Sequence, residues 1–251
     1  MNISIVCPGT LFPASVGILE AFDSQDVRIE HLTTTSLASV PCAFYCNGRS
    51  MRELLGLVDD LSPLPLTRTW WSILNSYYTP HFDLNIDSIV NKLPDHCGQL
   101  HIPLSIITLN NDTGFLTKHS LDTEHHLPTV VKAASSIAPL MRPVTHNKQR
   151  HSDASCCPID YKTTFNSFVV LVQSTSNNSE YKHPNMQSRD LYMQLATTFQ
   201  HSTPLVDIVV NIDRYPIDPK QLSSQSDSIV KSAYDQTYKQ LLSLKRQRKV
   251  Q

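Results

Sequence analysis

Ser36 is the residue whose neighbours best suit it to nucleophilic chemistry. It stands in Thr35-Ser36-Leu37-Ala38-Ser39, between a predicted strand, Val27-Arg28-Ile29-Glu30-His31-Leu32, and a predicted helix over residues 37–47. In the strand, Val27 and Ile29 alternate with polar neighbours, the period of a half-buried extended segment. The helix ends at Gly48, a residue suited to a left-handed helix terminus. A serine at such a turn has its hydroxyl lifted above the sheet, beside the positive end of the helix, which suits acyl transfer. Serine is also a common helix N-cap, and the turn alone leaves both readings open.

Further segments fall in a compatible order. Ile3-Ser4-Ile5-Val6-Cys7-Pro8-Gly9-Thr10-Leu11 reads as a strand entering a tight loop, and residues 14–23 as a helix. Val130-Val131-Lys132-Ala133-Ala134-Ser135-Ser136-Ile137-Ala138-Pro139 reads as a helix end, followed by Pro143-Val144, Asp153-Ala154-Ser155 and Pro158-Ile159. Together with the Ser36 turn, these segments resemble the patatin-like phospholipase family. That family has a glycine-rich oxyanion loop after its first strand, a G-x-S-x-G elbow, a small-residue helix end before a proline, and a D-G-[GA] motif. Val206–Asn211 and Ile229–Tyr234 resemble its last strand and last helix, so the resemblance covers nearly the whole chain. The departures are specific. Where the family has G-G-G-x-[RK]-G, this chain has Cys7-Pro8-Gly9-Thr10-Leu11-Phe12; Thr34 and Ala38 replace the elbow glycines, and the D-G-G is Asp153-Ala154-Ser155.

The resemblance implies a single-domain, three-layer α/β sandwich over residues 1–244, with a basic tail over 245–251. It implies a Ser-Asp dyad in which Ser36 attacks an ester carbonyl and Asp153 is the general base. Oxyanion donors would come from the backbone of Gly9, Thr10 and Leu37, since Pro8 has no N–H. No cofactor and no metal is required. Of the 11 histidines, His146 and His151 lie near Asp153 and His31 lies before the elbow. None has a family role, and each reads as structural or surface.

Elsewhere, strands alternate with helices, which implies a mostly parallel sheet covered on both faces. Ser50 with Glu53 forms a capping box opening another helix. Residues 87–93 read as a short helix, 101–109 as a buried strand, 110–114 as a turn and 115–117 as a return strand. Residues 127–136 read as a helix and 167–172 as a strand. Residues 174–188 read as a polar loop and 190–200 as a helix. Residues 207–212 read as a strand and 225–244 as the closing helix. Residues 61–80 are proline-punctuated and aromatic. Trp70 and Trp71 there read either as part of a substrate-facing lid or as packing beneath a loop.

Composition narrows the function classes. The chain has 251 residues, 40% hydrophobic and 17% charged, enough for one sizeable core. A net charge of −1 gives no reason to expect nucleic acid. No apolar run reaches transmembrane length, and the N-terminus reads as a strand rather than a leader. The six cysteines lack disulfide-scaffold or zinc spacing, which points to a reducing, cytoplasmic setting. Two functions remain. One is a lipid acyl hydrolase of the phospholipase A or lysophospholipase type, acting on a lipid or lysolipid with transient membrane-surface contact. The other is a catalytically weakened protein of the same fold that binds a lipid or a protein.

Overall fold

The computed structural model describes residues 1–61, 66–68, 82–120, 126–137, 141–155, 157, 161–174, 205–213 and 219–248. Its main sheet has eight strands: β1 (Asn2–Val6), β2 (His31–Thr34), β5 (Leu104–Asn110), β6 (Leu116–His119), β7 (Val144–His146), β8 (Gln149–Asp153), β9 (Phe168–Ser174) and β10 (Ile208–Ile212). A separate two-stranded ladder pairs β3 (Leu66–Arg68) with β4 (Phe82–Leu84). The helices are α1 (Pro13–Ser24), α2 (Ser39–Cys46), α3 (Met51–Leu61), α4 (Asp87–Val90), α5 (Leu127–Ala134), α6 (Tyr161–Phe165) and α7 (Pro219–Arg248).

The order β10-β9-β1-β2-β5-β8-β7 is parallel from β10 to β5 and antiparallel beyond. This is the mixed, mostly parallel α/β sheet expected. Side-chain alternation shows that both faces are covered. On β9, Val170 and Val172 join the larger apolar cluster, built with α1, α2, α3, α5 and α7, while Val169 and Leu171 join a smaller one with Tyr161 of α6. Such nearly continuous apolar strands mark a sheet buried on both sides.

The pairing of β5 decides where the functional residues meet. β6 pairs with residues 106–109 of β5. β2 pairs with residues 104–106 and β8 with residues 108–110. A strand has two edges, and β6 overlaps both other partners, so β2 and β8 share the opposite edge and meet end to end. In the gap, the Thr35 hydroxyl donates to the Ile107 carbonyl at 2.9 Å, standing in for the missing ladder bond. The end of β2 and the end of β8 are thereby set against each other.

Several local expectations are met. Gly48 has φ +81° and its N–H donates to the Tyr45 carbonyl at the end of α2. Ser50 and Glu53 form the reciprocal capping box, with the Ser50 N–H 2.9 Å from Glu53 Oε2 and the Glu53 N–H 3.4 Å from Ser50 Oγ. Other bounds shift. The second strand runs from His31 to Thr34 rather than from Val27 to Leu32, because its parallel partners are β1 and β5 and its end must reach the elbow. The predicted helix over 37–47 opens as a 3₁₀ turn, Ser36–Ala38, before α2 begins. The closing helix is longer than expected and carries the basic run through Arg248, with Lys245 Nζ 2.6 Å from the Gln25 carbonyl. The hairpin β7–β8 is an addition. The polar loop expected over 174–188 and the helix over 190–200 lie almost entirely outside the described residues, as do Trp70 and Trp71.

α7 is held against α1 at backbone distance. A Cβ placed on Gly17 would lie 2.1 Å from the Val230 carbonyl oxygen. Gly17→Ala should therefore lower stability by about 1–3 kcal/mol through overpacking, read as a lower denaturant midpoint with an unchanged slope. An unchanged midpoint would show that the two helices separate freely.

Candidate active site

Ser36 is the sharpest local feature of the chain. Its φ is +61°, a left-handed conformation that costs a non-glycine residue roughly 1–2 kcal/mol. Thr35 before it is extended, at φ −146° and ψ 177°, and the 3₁₀ turn begins at Ser36 itself. The backbone thus reverses abruptly between β2 and α2. Strain of this kind persists only where the surroundings over-determine it. Here β1 and β5 hold β2 on both sides, and Leu37 and Ala38 are buried under the helices.

The hydroxyl makes two contacts. Ser36 Oγ donates to Asp153 Oδ2 at 3.0 Å and accepts the Gly9 N–H at 3.0 Å. Gly9 follows β1 in a 3₁₀ turn, Gly9–Leu11, and has φ +48°, a left-handed conformation that glycine adopts without a Cβ penalty. Pro8 precedes it in an extended conformation, φ −75°, leaving the Gly9 N–H directed at the serine. Thr10 and Leu37 occupy the second positions of the two facing turns; both are buried. The N–H groups that open a helical turn have no acceptor within it.

Asp153 ends β8 and is buried, as is Ser36. Its carboxylate is gripped by Ser155, whose hydroxyl donates to Oδ2 at 2.6 Å and whose N–H donates to Oδ1 at 2.8 Å. Its own N–H donates to the Ser136 carbonyl at 2.9 Å, tying the strand to the end of α5. Burial is the dominant influence on the carboxyl and raises its pKa to about 6, against the opposing hydrogen bonds from Ser155 and Ser36. Two neighbours feel its charge as well as their own burial. The Cys157 thiol and the Tyr161 phenol are both shifted upward, first by burial and then by Asp153.

The histidines are placed elsewhere. His31 is half-buried, bonded through Nε2 to Ser105 Oγ at 2.8 Å, with its pKa lowered by burial. His146 and His151 join His119 in a buried nest, with ring centroids 5.2–6.1 Å apart. Thr108 Oγ1 lies 2.8 Å from His119 Nε2 and 3.0 Å from His151 Nδ1. A hydroxyl has one proton, so at least one of these ring nitrogens must be a donor. Thr108 is also the register partner of Asp153, so the nest and the carboxylate share one face of the sheet. No group of His, Cys, Asp or Glu among the described residues could hold a metal ion.

Sequence reasoning singled out Ser36, Asp153, Gly9, Thr10 and Leu37. The structure brings Ser36, Asp153 and Gly9 into direct hydrogen-bond contact. It adds Ser155 and Ser136 as partners of Asp153 and His119 as a member of the nest. The one available signal for Ser155 was its spacing, since a residue two after an aspartate is where an Asx turn forms.

No protein-family model and no curated protein matches the chain. Solved structures do. The fold matches VipD from Legionella pneumophila with a TM-score of 0.57 at 12% identity, over 96% of this chain and 66% of that one. The type III effector protein ExoU aligns with a TM-score of 0.44 at 9% identity, over 96% of this chain and 53% of that one. The chain therefore spans less than two thirds of either protein. The likeness to VipD is one of fold, and the fold is the patatin-like α/β arrangement.

Two predictions concern stability. Ser36→Gly should be more stable than Ser36→Ala by about 1 kcal/mol, because only alanine keeps a Cβ at positive φ; equal thermal midpoints would show that the backbone relaxes. For Asp153, the folded-state pKa lies above the unfolded one, so stability is greatest below about pH 4 and is lost as pH rises through about 6. Asp153→Asn should thus be more stable than the parent above pH 6, by about 1–3 kcal/mol, with the gap closing at pH 4. A gap independent of pH would contradict a raised pKa.

Proposed function

We propose that this protein hydrolyses carboxylic esters of lipids, of the phospholipase A or lysophospholipase type, with Ser36 as nucleophile and Asp153 as its base. The observation that carries the proposal is the 3.0 Å contact from Ser36 Oγ to Asp153 Oδ2, made by a serine in a left-handed turn and supported by the Gly9 N–H. The lipid class rests on the resemblance to patatin-like phospholipases.

The residues would divide the work as follows. Asp153 takes the hydroxyl proton as Ser36 Oγ attacks the ester carbonyl. A serine hydroxyl needs such a base near neutral pH, and a carboxylate with a pKa of about 6 is a better one than an ordinary aspartate while still ionised at pH 7. The Ser155 N–H and hydroxyl keep the carboxylate oriented throughout. The negative oxygen of the tetrahedral intermediate would lie near the Gly9 N–H, with Thr10 and Leu37 as further donors. On collapse, the departing alcohol takes the proton from Asp153. Water then attacks the acyl-serine, giving its proton to Asp153, which returns it to Ser36 Oγ as the acid leaves. No step needs a histidine or a metal.

A second reading, a binding protein with weakened catalysis, is favoured by one observation: Ser36 is fully buried. An ester can reach its hydroxyl only after a movement of the surrounding chain. Without that movement, the fold would serve binding alone.

Hydrolysis of a short-chain monomeric ester separates the two. Ser36→Ala and Asp153→Asn should each lose at least about 10³-fold in kcat/KM while remaining folded. Turnover near the parent's in either variant would reject the dyad. Gly9→Ala should cost about 10²–10³ in rate by displacing the oxyanion donor. Because Asp153 must be ionised to act, kcat/KM should fall tenfold per pH unit below about 6 and level off above it. A plateau continuing down to pH 4 would mean that another group is the base.

A further inference from the structure

Beyond Thr108, the level of the dyad, β5 runs on and the chain builds two hairpins past the ends of the parallel strands. The tip of β5–β6 is residues 111–115, and the tip of β7–β8 is residues 147–148. The register sets them side by side: His151 is the partner of Asn110, and the Asn111 N–H donates to the Arg150 carbonyl at 2.7 Å. The side chains then lock them together. Arg150 gives its Nε–H to Asp112 Oδ1 and its backbone N–H to Asp112 Oδ2, both at 2.7 Å, and Asn110 Nδ2 donates to Gln149 Oε1 at 2.7 Å. The result is a single ridge standing on the edge of the sheet that holds Ser36 and Asp153.

The ridge is rigid, and it displays apolar side chains. Asn110 Oδ1 accepts the N–H groups of Asp112 and Thr113. The Gly114 N–H donates to the Asn110 carbonyl with φ +75°, and the Phe115 N–H is held by Thr113 Oγ1. Phe115 is nonetheless 75% exposed and Leu116, next to it, 40%. Such ordering lowers the entropic cost of docking, and the exposed pair on a preformed tip needs an apolar partner.

The charge around the pair identifies that partner. Lys148 and Arg150 are exposed on the neighbouring tip, against one carboxylate, Asp112, which Arg150 already occupies, while Lys118 lies over the Phe165 ring of α6. The whole chain carries a net charge of −1, so this excess of cations is local. An exposed aromatic and a leucine flanked by cations on the adjoining tip match an acyl layer beneath anionic head groups.

We infer that the paired hairpin tips, with Phe115 and Leu116 inserted and Lys148 and Arg150 on the head groups, dock this protein on an anionic lipid surface with the Ser36 edge facing it. This deepens the lipid-hydrolase reading by naming the surface through which the site meets its substrate, but docking is measured without turnover.

The test is co-sedimentation of the full chain with phosphatidylcholine vesicles with and without phosphatidylserine. The parent should bind the phosphatidylserine vesicles more tightly. Phe115→Ser should weaken that binding by about tenfold or more and Lys148→Glu by about fivefold or more, while monomeric-ester turnover stays at the parent's level. Ser36→Ala should bind like the parent, so failure of catalysis and failure of docking are read apart. The proposal is overturned if the parent ignores both vesicle types, or if Phe115→Ser binds as well as the parent. It is also overturned if Phe115→Ser abolishes a concentration-dependent dimer instead, which would assign the tip to a second copy of the chain.

Discussion

The contact between Ser36 and Asp153 depends on two strands stopping at the same point on a third. β2 and β8 share one edge of β5 and approach it from opposite directions, so their ends face each other across the carbonyl that Thr35 bonds. A continuous β2 would leave no room for Asp153, and a parallel β8 would carry it away from Ser36, toward the hairpin end of β5. The left-handed turn at Ser36 follows from the same constraint. The chain must leave the sheet plane within one residue, and the serine bears the strain of that exit. The antiparallel wing, β7 and β8, is thus the means by which an acid 117 residues away in sequence reaches the hydroxyl.

Placing a carboxylate there costs stability, and the surroundings are arranged around that cost. Asp153 is buried and shifted toward neutrality, yet it keeps three donors: Ser36, the Ser155 hydroxyl and the Ser155 N–H. The same face of the sheet, across β5, β6, β7 and β8, buries three imidazoles and Thr108 in place of aliphatic side chains. Buried polar groups are tolerable where they are hydrogen-bonded. This side of the sheet therefore gives up part of the apolar burial enjoyed by β1, β9 and β10 in return for a polar environment beside the dyad.

Much of this was legible in the residues. The alternating and apolar strands at the N-terminus and at residues 104–109, the capping box at Ser50 and Glu53, the terminator Gly48 and the turn over 110–114 all carry local signals, and each has a counterpart in the fold. The β7–β8 hairpin carries none. Its buried positions, His146, His151, Ser152 and Asp153, are all polar, so the hairpin is invisible as hydrophobicity. Ser155 was passed over for a different reason: standing where the family has a small residue, it reads as a substitution, although its spacing from Asp153 is that of an Asx turn. The strand before the elbow was displaced toward its N-terminus because Val27 and Ile29 alternate well, although tertiary pairing selects His31–Thr34.

The central claim is that Ser36 is an activated nucleophile and that Asp153 activates it. The most direct measurement is treatment with a fluorophosphonate followed by mass mapping of the adduct, in the parent and in Asp153→Asn. The account predicts a covalent phosphonate on Ser36 in the parent, forming faster as pH rises through about 6, and little or none in the variant. An adduct on another residue, or equal labelling of Ser36 without Asp153, would contradict it.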